Sequence, residues 1–246
     1  MVKRVIAINS SRRKKNTYGM LEQLQKELKK EKVEVEIINL FDYDIKECYG
    51  CEQCLRVGKC HIKDDMDLLM DKLKECDGII ISTPVYMSSL SGKLKVFIDR
   101  TCRWFHRPEL VGIPALVVST TAASGLKDTF KVLDKLLIQW AAFPTGTIGR
   151  TANTLKNPVE QKEYKNFVNH LFMKKEDYKP TLNQLIMFQV QKVLATKILE
   201  LDKEYWEEKH WIDNNYFYNC NISQAKRGIS KSFYKMLNKK VKKVGE

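Results

Sequence analysis

The stretch VIAINSSRRKKNT, Val5 to Thr17, decides the fold. A short apolar run, Val5 to Ile8, ends in small polar residues, as a buried parallel strand does when it delivers a loop to a ligand. A helix follows, with Asn16 or Thr17 as its cap and Met20, Leu21, Leu24 and Leu28 on one face. The same alternation continues along the chain. VEVEIINL, Val33 to Leu40, reads as a second strand, and Asp64 or Asp65 starts a helix carrying Met66, Leu69, Met70 and Leu73. GIIISTP, Gly78 to Pro84, is a third, fully buried strand, followed by a helix from Gly92 to about Phe105. Strand PALVVSTT (Pro114 to Thr121), a helix from about Leu126 to Phe143 and a short strand from Thr145 to Arg150 complete the set. Five strands alternating with helices predict a parallel sheet covered on both faces, an α/β fold.

A chain of 246 residues with 43% hydrophobic content holds one domain of ordinary size plus an appendage, or two small ones. The apolar stretch Val5 to Ile8 is too short for a signal peptide, and no segment reaches the roughly 20 apolar residues of a membrane span. A cytoplasmic protein is expected. Much of the net charge of +13 is local: Lys226, Arg227, Lys231, Lys235, Lys239, Lys240, Lys242 and Lys243 are interleaved with Ile229, Phe233, Met236, Leu237 and Val241 at loosely helical spacing. That pattern suits peripheral contact with an anionic membrane or acidic partner, and equally a solvated terminal helix. From Thr181 to Trp206 a long apolar stripe (Leu182, Leu185, Ile186, Val190, Val193, Leu194, Ile198, Leu201, Tyr205) predicts one helix that needs a partner surface. Trp206, Trp211, Tyr216, Phe217 and Tyr218 either seal an interface or shape a pocket.

In such sheets ligands sit beyond the carboxyl ends of the strands, where strand order reverses. Three strand ends therefore define the candidate site. Asn9 to Thr17 surrounds an anion-sized space with hydroxyls, helix N-terminal amides and Arg12; it lacks the glycine signatures of triphosphate and dinucleotide binders, so a phosphate monoester is the natural guest. Pro84 to Met87 offers a stiffened backbone beside an aromatic ring, suited to a flat heteroaromatic. Ser119 to Gly125 is a hydroxyl- and glycine-rich turn.

Four of seven cysteines crowd into CYGCEQCLRVGKC: Cys48, Cys51, Cys54 and Cys60. Two consecutive gaps of two let three thiolates converge, which suits a cubane iron-sulfur cluster better than the paired knuckles of a zinc site. Zinc, or a loop of free thiols, stays open, and a zinc-bearing basic nucleic-acid-binding protein is the rival class. Cys76, Cys102 and Cys220 have no partner at ligand spacing and are expected to be buried; His61 is expected to be exposed.

The order of these segments, with R-x-x-x-N-T after the first strand, C-x-G-C-x-x-C followed by Asp64-Asp65-Met66, then Pro84-Val85-Tyr86 and the LKVFIDR run ending at Asp99 and Arg100, resembles the NAD(P)H-dependent FMN reductase group of flavodoxin-like proteins, most closely the iron-sulfur flavoproteins. The resemblance covers residues 1–155, leaving 156–246 as a mainly helical extension with a basic tail. It implies a flavodoxin-like three-layer sandwich on a five-stranded parallel sheet, binding FMN without a covalent link. Ser10, Arg12, Asn16 and Thr17 would hold the phosphate. Pro84, Val85, Tyr86 and Met87 would border the isoalloxazine, with Thr120, Thr121, Ala122 and Gly125 near its other edge. Cys48, Cys51, Cys54 and Cys60 would hold a 4Fe-4S cluster, although relatives keep a similar loop without one, and a cluster-free FMN or quinone reductase is then implied. Asn9-Ser10 departs from the group's frequent Gly-Ser, which puts a close backbone approach to phosphate in doubt. Asp99 and Arg100 are expected to fix their helix. The flavin does the chemistry, so no catalytic side chain is required. NAD(P)H or ferredoxin would donate, a small molecule or protein would accept, a homodimer or homotetramer is expected, and nucleic acid is not.

Overall fold

A computed structural model describes residues 1–243; the last three residues of the extension set at 156–246 lie outside it. In chain order the elements are β1 (Lys3–Asn9), α1 (Asn16–Lys30), β2 (Val33–Asn39), α2 (Gln53–Arg56), α3 (Met66–Lys74), β3 (Gly78–Pro84), α4 (Gly92–Asp99), α5 (Arg103–His106), β4 (Pro114–Thr120), α6 (Leu126–Gln139), β5 (Phe143–Arg150), α7 (Gln161–Phe172), α8 (Leu182–Lys197), α9 (Glu200–Glu208) and α10 (Gln224–Lys240). The strands form one sheet in the order β2-β1-β3-β4-β5, and every pairing is parallel. This is the parallel sheet expected from the alternation, in the flavodoxin-like strand order that the resemblance implies.

Strand residues alternate between two cores. Ile6 and Ile8 of β1 and Ile79 and Ile81 of β3 face α3, α4 and α6, where Trp104 and Trp140 pack edge to face. Val5, Ala7 and Ile80 face α1 and α7. Helix α7 lies beyond residue 155 yet completes this layer: a Cβ at Gly78 would sit 2.5 Å from Leu171 Cδ2, so β3 and α7 touch where only glycine leaves room. Arg150 at the end of β5 grips Glu163 of α7 through two 2.8 Å hydrogen bonds. A third core joins α8 and α9 through Leu185, Phe188, Trp206, Trp211, Tyr216 and Phe217, so these aromatics seal the extension. Helix α10 lies on α8, with Gln189 donating to the buried Ser230 and Lys197 donating to carbonyls of Asn238 and Val241. Among the described residues no helix is long and apolar enough to cross a membrane.

Two expected helices are each broken in two. The helix from Gly92 to Phe105 stops at Asp99 and resumes at Arg103; between them the amides of Thr101 and Trp104 bond three residues back, at 2.9 and 2.8 Å, in a tighter turn. The stripe from Thr181 to Trp206 breaks at Ile198 and Leu199, where Leu199 is extended (φ −129°, ψ 130°) and redirects α9 toward the cysteine loop. The capping expectation for α1 also differs. The helix begins at Asn16, with Lys15 as its flanking residue and no side chain on its first amides.

Candidate functional site

The strand ends of β1, β3 and β4 meet at the point where the chain, having placed β2 on one side of β1, places β3 on the other. Asn9 is fully buried, and its side chain closes the first loop locally: the amide donates to the carbonyl of Ser11 and to Asn39 Oδ1, each at 3.0 Å, while Oδ1 accepts from the Ser11 amide. The side chain thus points sideways to β2. Ser10 is also buried; its hydroxyl donates to the Ser82 carbonyl at 2.9 Å and accepts from Ser91 at 2.9 Å. Ser91, which sequence reading missed, ties the first two loops together and caps α4 through the Leu94 amide. Its signal was the Ser-Gly pair ahead of an apolar helix.

Arg12, Arg13, Lys14, Lys15 and Asn16 are exposed around the start of α1, with no acidic residue in the first turn. Uncapped helix amides and four cations at one end of a dipole form a cradle for an anion. Arg12 lies 5.8 Å from the Phe41 ring centre. Thr17 is buried and its hydroxyl meets that of Thr120 at 2.6 Å, fastening the first loop to the third.

In the second loop Pro84 is buried, Val85 half-buried and Tyr86 exposed. The Tyr86 and Ser89 backbones exchange hydrogen bonds of 2.9 and 3.0 Å around Met87 and Ser88. Both central residues have positive φ, 47° and 61°, which makes a tight reversal. Met87 is 99% exposed at its tip. In the third loop Thr121 donates to the Ser124 carbonyl, Ala122 is exposed, and Gly125 (φ 88°) starts α6. A Cβ on Gly125 would lie 2.8 Å from Val85 Cγ1 and 3.0 Å from Ser88 Cα. Loops two and three therefore touch through a glycine. The structure brings all twelve residues of the expected phosphate and ring edges to one end of the sheet.

The cysteine loop is built differently. Cys48 and Cys51 are exposed, Cys54 and Cys60 half-buried. Their sulfurs point to different neighbours: Cys51 to Nδ1 of the exposed His61 at 3.8 Å, Cys60 to Arg100 Nη2 at 3.6 Å. Among the described residues no three His, Cys, Asp or Glu side chains converge at metal distance. The donor set nevertheless fits an iron-sulfur cluster in kind, four free thiols within one short loop, and three arginines, each paired with a carboxylate, line that loop. Arg100 pairs with Asp64 and donates to the Lys46 carbonyl; Arg103 donates to the Gly58 carbonyl; Arg107 donates to the carbonyls of Cys54 and Leu55. Arg100 thus holds the cysteine loop, beyond the helix-fixing role expected of it, while Asp99 pairs with Lys95 on its own helix. Burial tends to raise Asp64, but the Arg100 hydrogen bond and the Lys46 and Met66 amides outweigh it and hold the carboxyl below its ordinary range.

Cys102, expected to be buried, is exposed, in the turn between α4 and α5. The neighbouring Cys102 thiol, opposed by burial and aided by the Arg107 and Arg103 charges, lowers Cys54 to about 6, and the Cys54 thiol together with burial raises Cys102. Cys76 is buried as expected, and burial pushes it up to about 11; Cys220 is half-buried. Two clefts along the seam of α4 and α6 share Ile98, Leu136 and Gln139; one begins at Cys48 and the other ends at Ser89 and Leu90. The cysteine loop and the Tyr86 reversal therefore open on one trough.

Comparison with known proteins gives consistent results. Residues 3–153 match the family described as NADPH-dependent FMN reductase. An iron-sulfur flavoprotein of Archaeoglobus fulgidus is 46% identical over 98 residues, 40% of this chain and 48% of that protein, so the chain spans about half of its length. A second from the same organism is 29% identical over 86% of this chain and 100% of its own length. One from Methanocaldococcus jannaschii is 31% identical over 61% of this chain and 79% of its own. Among solved structures, RosB with bound 8-demethyl-8-formylriboflavin-5'-phosphate covers 100% of this chain and 90% of its own at TM-score 0.55 and 11% identity. A flavone reductase covers 68% of this chain and 60% of its own at TM-score 0.52 and 19% identity. At these identities the two structures speak for the fold alone.

Proposed function

The chain belongs to the NADPH-dependent FMN reductase family, among its iron-sulfur flavoproteins, and on that premise we propose that it is an FMN-dependent oxidoreductase that takes electrons from NAD(P)H or ferredoxin and passes them to a small-molecule or protein acceptor through a 4Fe-4S cluster on Cys48, Cys51, Cys54 and Cys60. The observation that carries the reading is the junction of three loops at the strand-order switch, one edge cationic and rich in free amides, the other bordered by Pro84, Val85, Tyr86 and Met87.

Bound FMN supplies hydride and single-electron chemistry, and a cluster splits a two-electron exchange into single steps. What the chain's own residues do follows from their placement. Arg12 and the first amides of α1 bind the phosphate charge, aided by Lys14 and Lys15. Ser10, already bonded to Ser82 and Ser91, contributes through backbone placement. The Thr17–Thr120 bond holds the two edges at a fixed separation. The exposed Tyr86 and Met87 would border the isoalloxazine if FMN is held there. Arg100, Arg103 and Arg107, each paired with a carboxylate, hold the backbone of the cysteine loop and its approach through bonds to the carbonyls of Lys46, Gly58, Cys54 and Leu55. The trough shared by both loops supports a partner surface on which a second copy or an acceptor meets both centres.

Anaerobic purification followed by flavin, iron and sulfide analysis tests the proposal. Cys51→Ala is expected to lose iron and keep FMN; iron content unchanged in that variant refutes the cluster. A colourless protein that does not take up added FMN refutes the whole reading. A cluster-free reductase is indicated if flavin is present, iron is absent and NAD(P)H is still consumed with an added acceptor. Zinc without flavin, with salt-sensitive nucleic-acid binding, points to the rival class.

A further inference from the structure

The flavin-side proposal makes no use of α9, yet α9 carries a buried carboxylate that pairs with an arginine bonded to the cysteine loop. Asp202, in the first turn of α9, is 0% exposed. Its Oδ2 lies 2.9 Å from His106 Nδ1, and its Oδ1 accepts from Arg107 Nη1. Arg107 does not stop at this pair: Nη1 also donates to the Leu55 carbonyl at 3.1 Å and Nη2 to the Cys54 carbonyl at 2.7 Å. Next to Asp202, Leu201 Cδ2 lies 3.5 Å from the position a Cβ would take on Gly58, the loop's second reversal (φ 78°). Trp206 donates to the His106 carbonyl at 2.8 Å and Tyr205 to the Pro108 carbonyl at 3.1 Å, so α9 is fastened to the 106–108 segment by further bonds.

We infer that Asp202 is a positioning residue for the cysteine loop, acting through Arg107 on the backbone of Cys54 and Leu55, and that the C-terminal extension is in this way the second half of the cysteine site. The inference deepens the proposed use of Cys48 to Cys60 and rests on it for its functional meaning. The physical argument is one of charge and reach. A buried carboxylate is tolerated when paired, and one neutral partner does not suffice. His106 and Arg107 satisfy it, which leaves the planar guanidinium in a fixed orientation with its remaining donors free. Those donors meet two successive carbonyls of the short helix α2, which bears Cys54, and leave it no freedom to rotate. An ion pair that served the extension alone would have no need of the loop backbone.

The test uses the full chain with two substitutions, Asp202→Asn and Arg107→Lys, each followed by amide hydrogen exchange in the metal-free protein and by iron and sulfide retention after anaerobic reconstitution. Loss of the carbonyl anchors is expected to speed exchange at Leu55, Arg56 and Val57 by on the order of tenfold, with the β3 peptide unchanged. Reconstituted variants are expected to release iron to a chelator several-fold faster, while FMN affinity stays within about twofold of wild type. Arg107→Lys keeps a charge opposite Asp202 but loses the fork, so it decides the matter if Asp202→Asn fails to fold. Unchanged exchange in the 54–58 segment of folded Asp202→Asn and Arg107→Lys overturns the inference. A wild type that takes up no iron overturns the cluster proposal instead, and the exchange data then still decide whether Asp202 positions the loop.

Discussion

Gly125 is where the two ring-bordering loops are pressed together, and Gly125→Ala tests that contact. Two costs follow from the structure. At φ 88° an alanine sits in the left-handed region, which costs about 1–2 kcal/mol for a residue with a Cβ. The added methyl would also lie 2.8 Å from Val85 Cγ1 and 3.0 Å from Ser88 Cα. Val85 is a stiff β-branched residue, and Ser88 offers backbone already held in a reversal by the Tyr86–Ser89 bonds, so neither neighbour yields by rotation alone. Overpacking of this kind costs roughly 1–3 kcal/mol. The sum, about 2–5 kcal/mol, corresponds to a melting point lowered by roughly 4–20 °C in a chain of this size. Because the displaced segment includes Tyr86 and Met87, FMN affinity is expected to fall by at least about tenfold, as a lost contact of about 1.4 kcal/mol does. Thermal unfolding and FMN titration by fluorescence measure both. Adding Val85→Ala removes the Cγ1 clash and recovers that share of the FMN affinity, while the φ cost remains. Wild-type melting and wild-type FMN affinity in Gly125→Ala would refute the argument that the two loops meet through this glycine.

Three further outcomes follow. Glu163→Gln breaks the two-pronged bond to Arg150 and is expected to cost about 1–3 kcal/mol at pH 7. The Arg150 hydrogen bond, opposed by burial, lowers the Glu163 pKa, so the advantage of wild type is complete above the ordinary carboxylate range near about 4.3 and vanishes as pH falls through the lower folded value; melting curves at pH 7 and pH 3 that keep the same gap contradict this. Ser91→Ala removes the α4 cap and the bond to Ser10 and is expected to destabilise by about 0.5–2 kcal/mol, read as a shifted denaturant midpoint with unchanged slope. Burial pushes Cys76 up to about 11, so it stays a thiol at neutral and mildly alkaline pH and is expected to alkylate far more slowly than the exposed Cys48; equal rates by peptide mass analysis contradict the placement.

The strands were legible because burial on both faces leaves an uninterrupted apolar signal, as in Ile79 to Ile81, and the loops at their ends were legible because topology alone assigns them a place. The helix breaks were not. Neither Arg100 to Cys102 nor Ile198 to Leu199 contains glycine or proline, and apolar spacing runs through both. At the first, Arg100 pairs with a residue 36 positions away, Asp64, and what orients the helix after the second is a partner 95 residues away, Arg107. Cys102 lies in the first break, and its exposure was hidden with it. The arginine lining of the cysteine loop was hidden for a related reason. Arg100, Arg103 and Arg107 read as ordinary charges on a helix, at spacings of three and four, and only the observed fold shows that their shared face is turned to the loop.

The two candidate centres therefore depend on the fold in different ways. The flavin-side loops are fastened to one another by contacts between strand ends, Thr17 to Thr120, Ser10 to Ser91 and Gly125 to Val85, all within the layers that the sheet itself organises. The cysteine loop has almost no regular structure of its own beyond the single turn of α2, and its backbone carbonyls are answered by Arg103 of α5 and by Arg107 just past it, which is in turn oriented by α9. A loop of this kind keeps its shape only while a distant helix is docked. Perturbing the α8–α9 core is thus expected to loosen the cysteine loop before the flavin loops, so that a substitution such as Phe188→Leu, in the core that holds α9 in place, speeds amide exchange at 54–58 while the 84–89 and 120–125 segments keep their protection. Equal loosening of all three segments would mean that the extension stabilises the molecule as a whole and has no special hold on the cysteines.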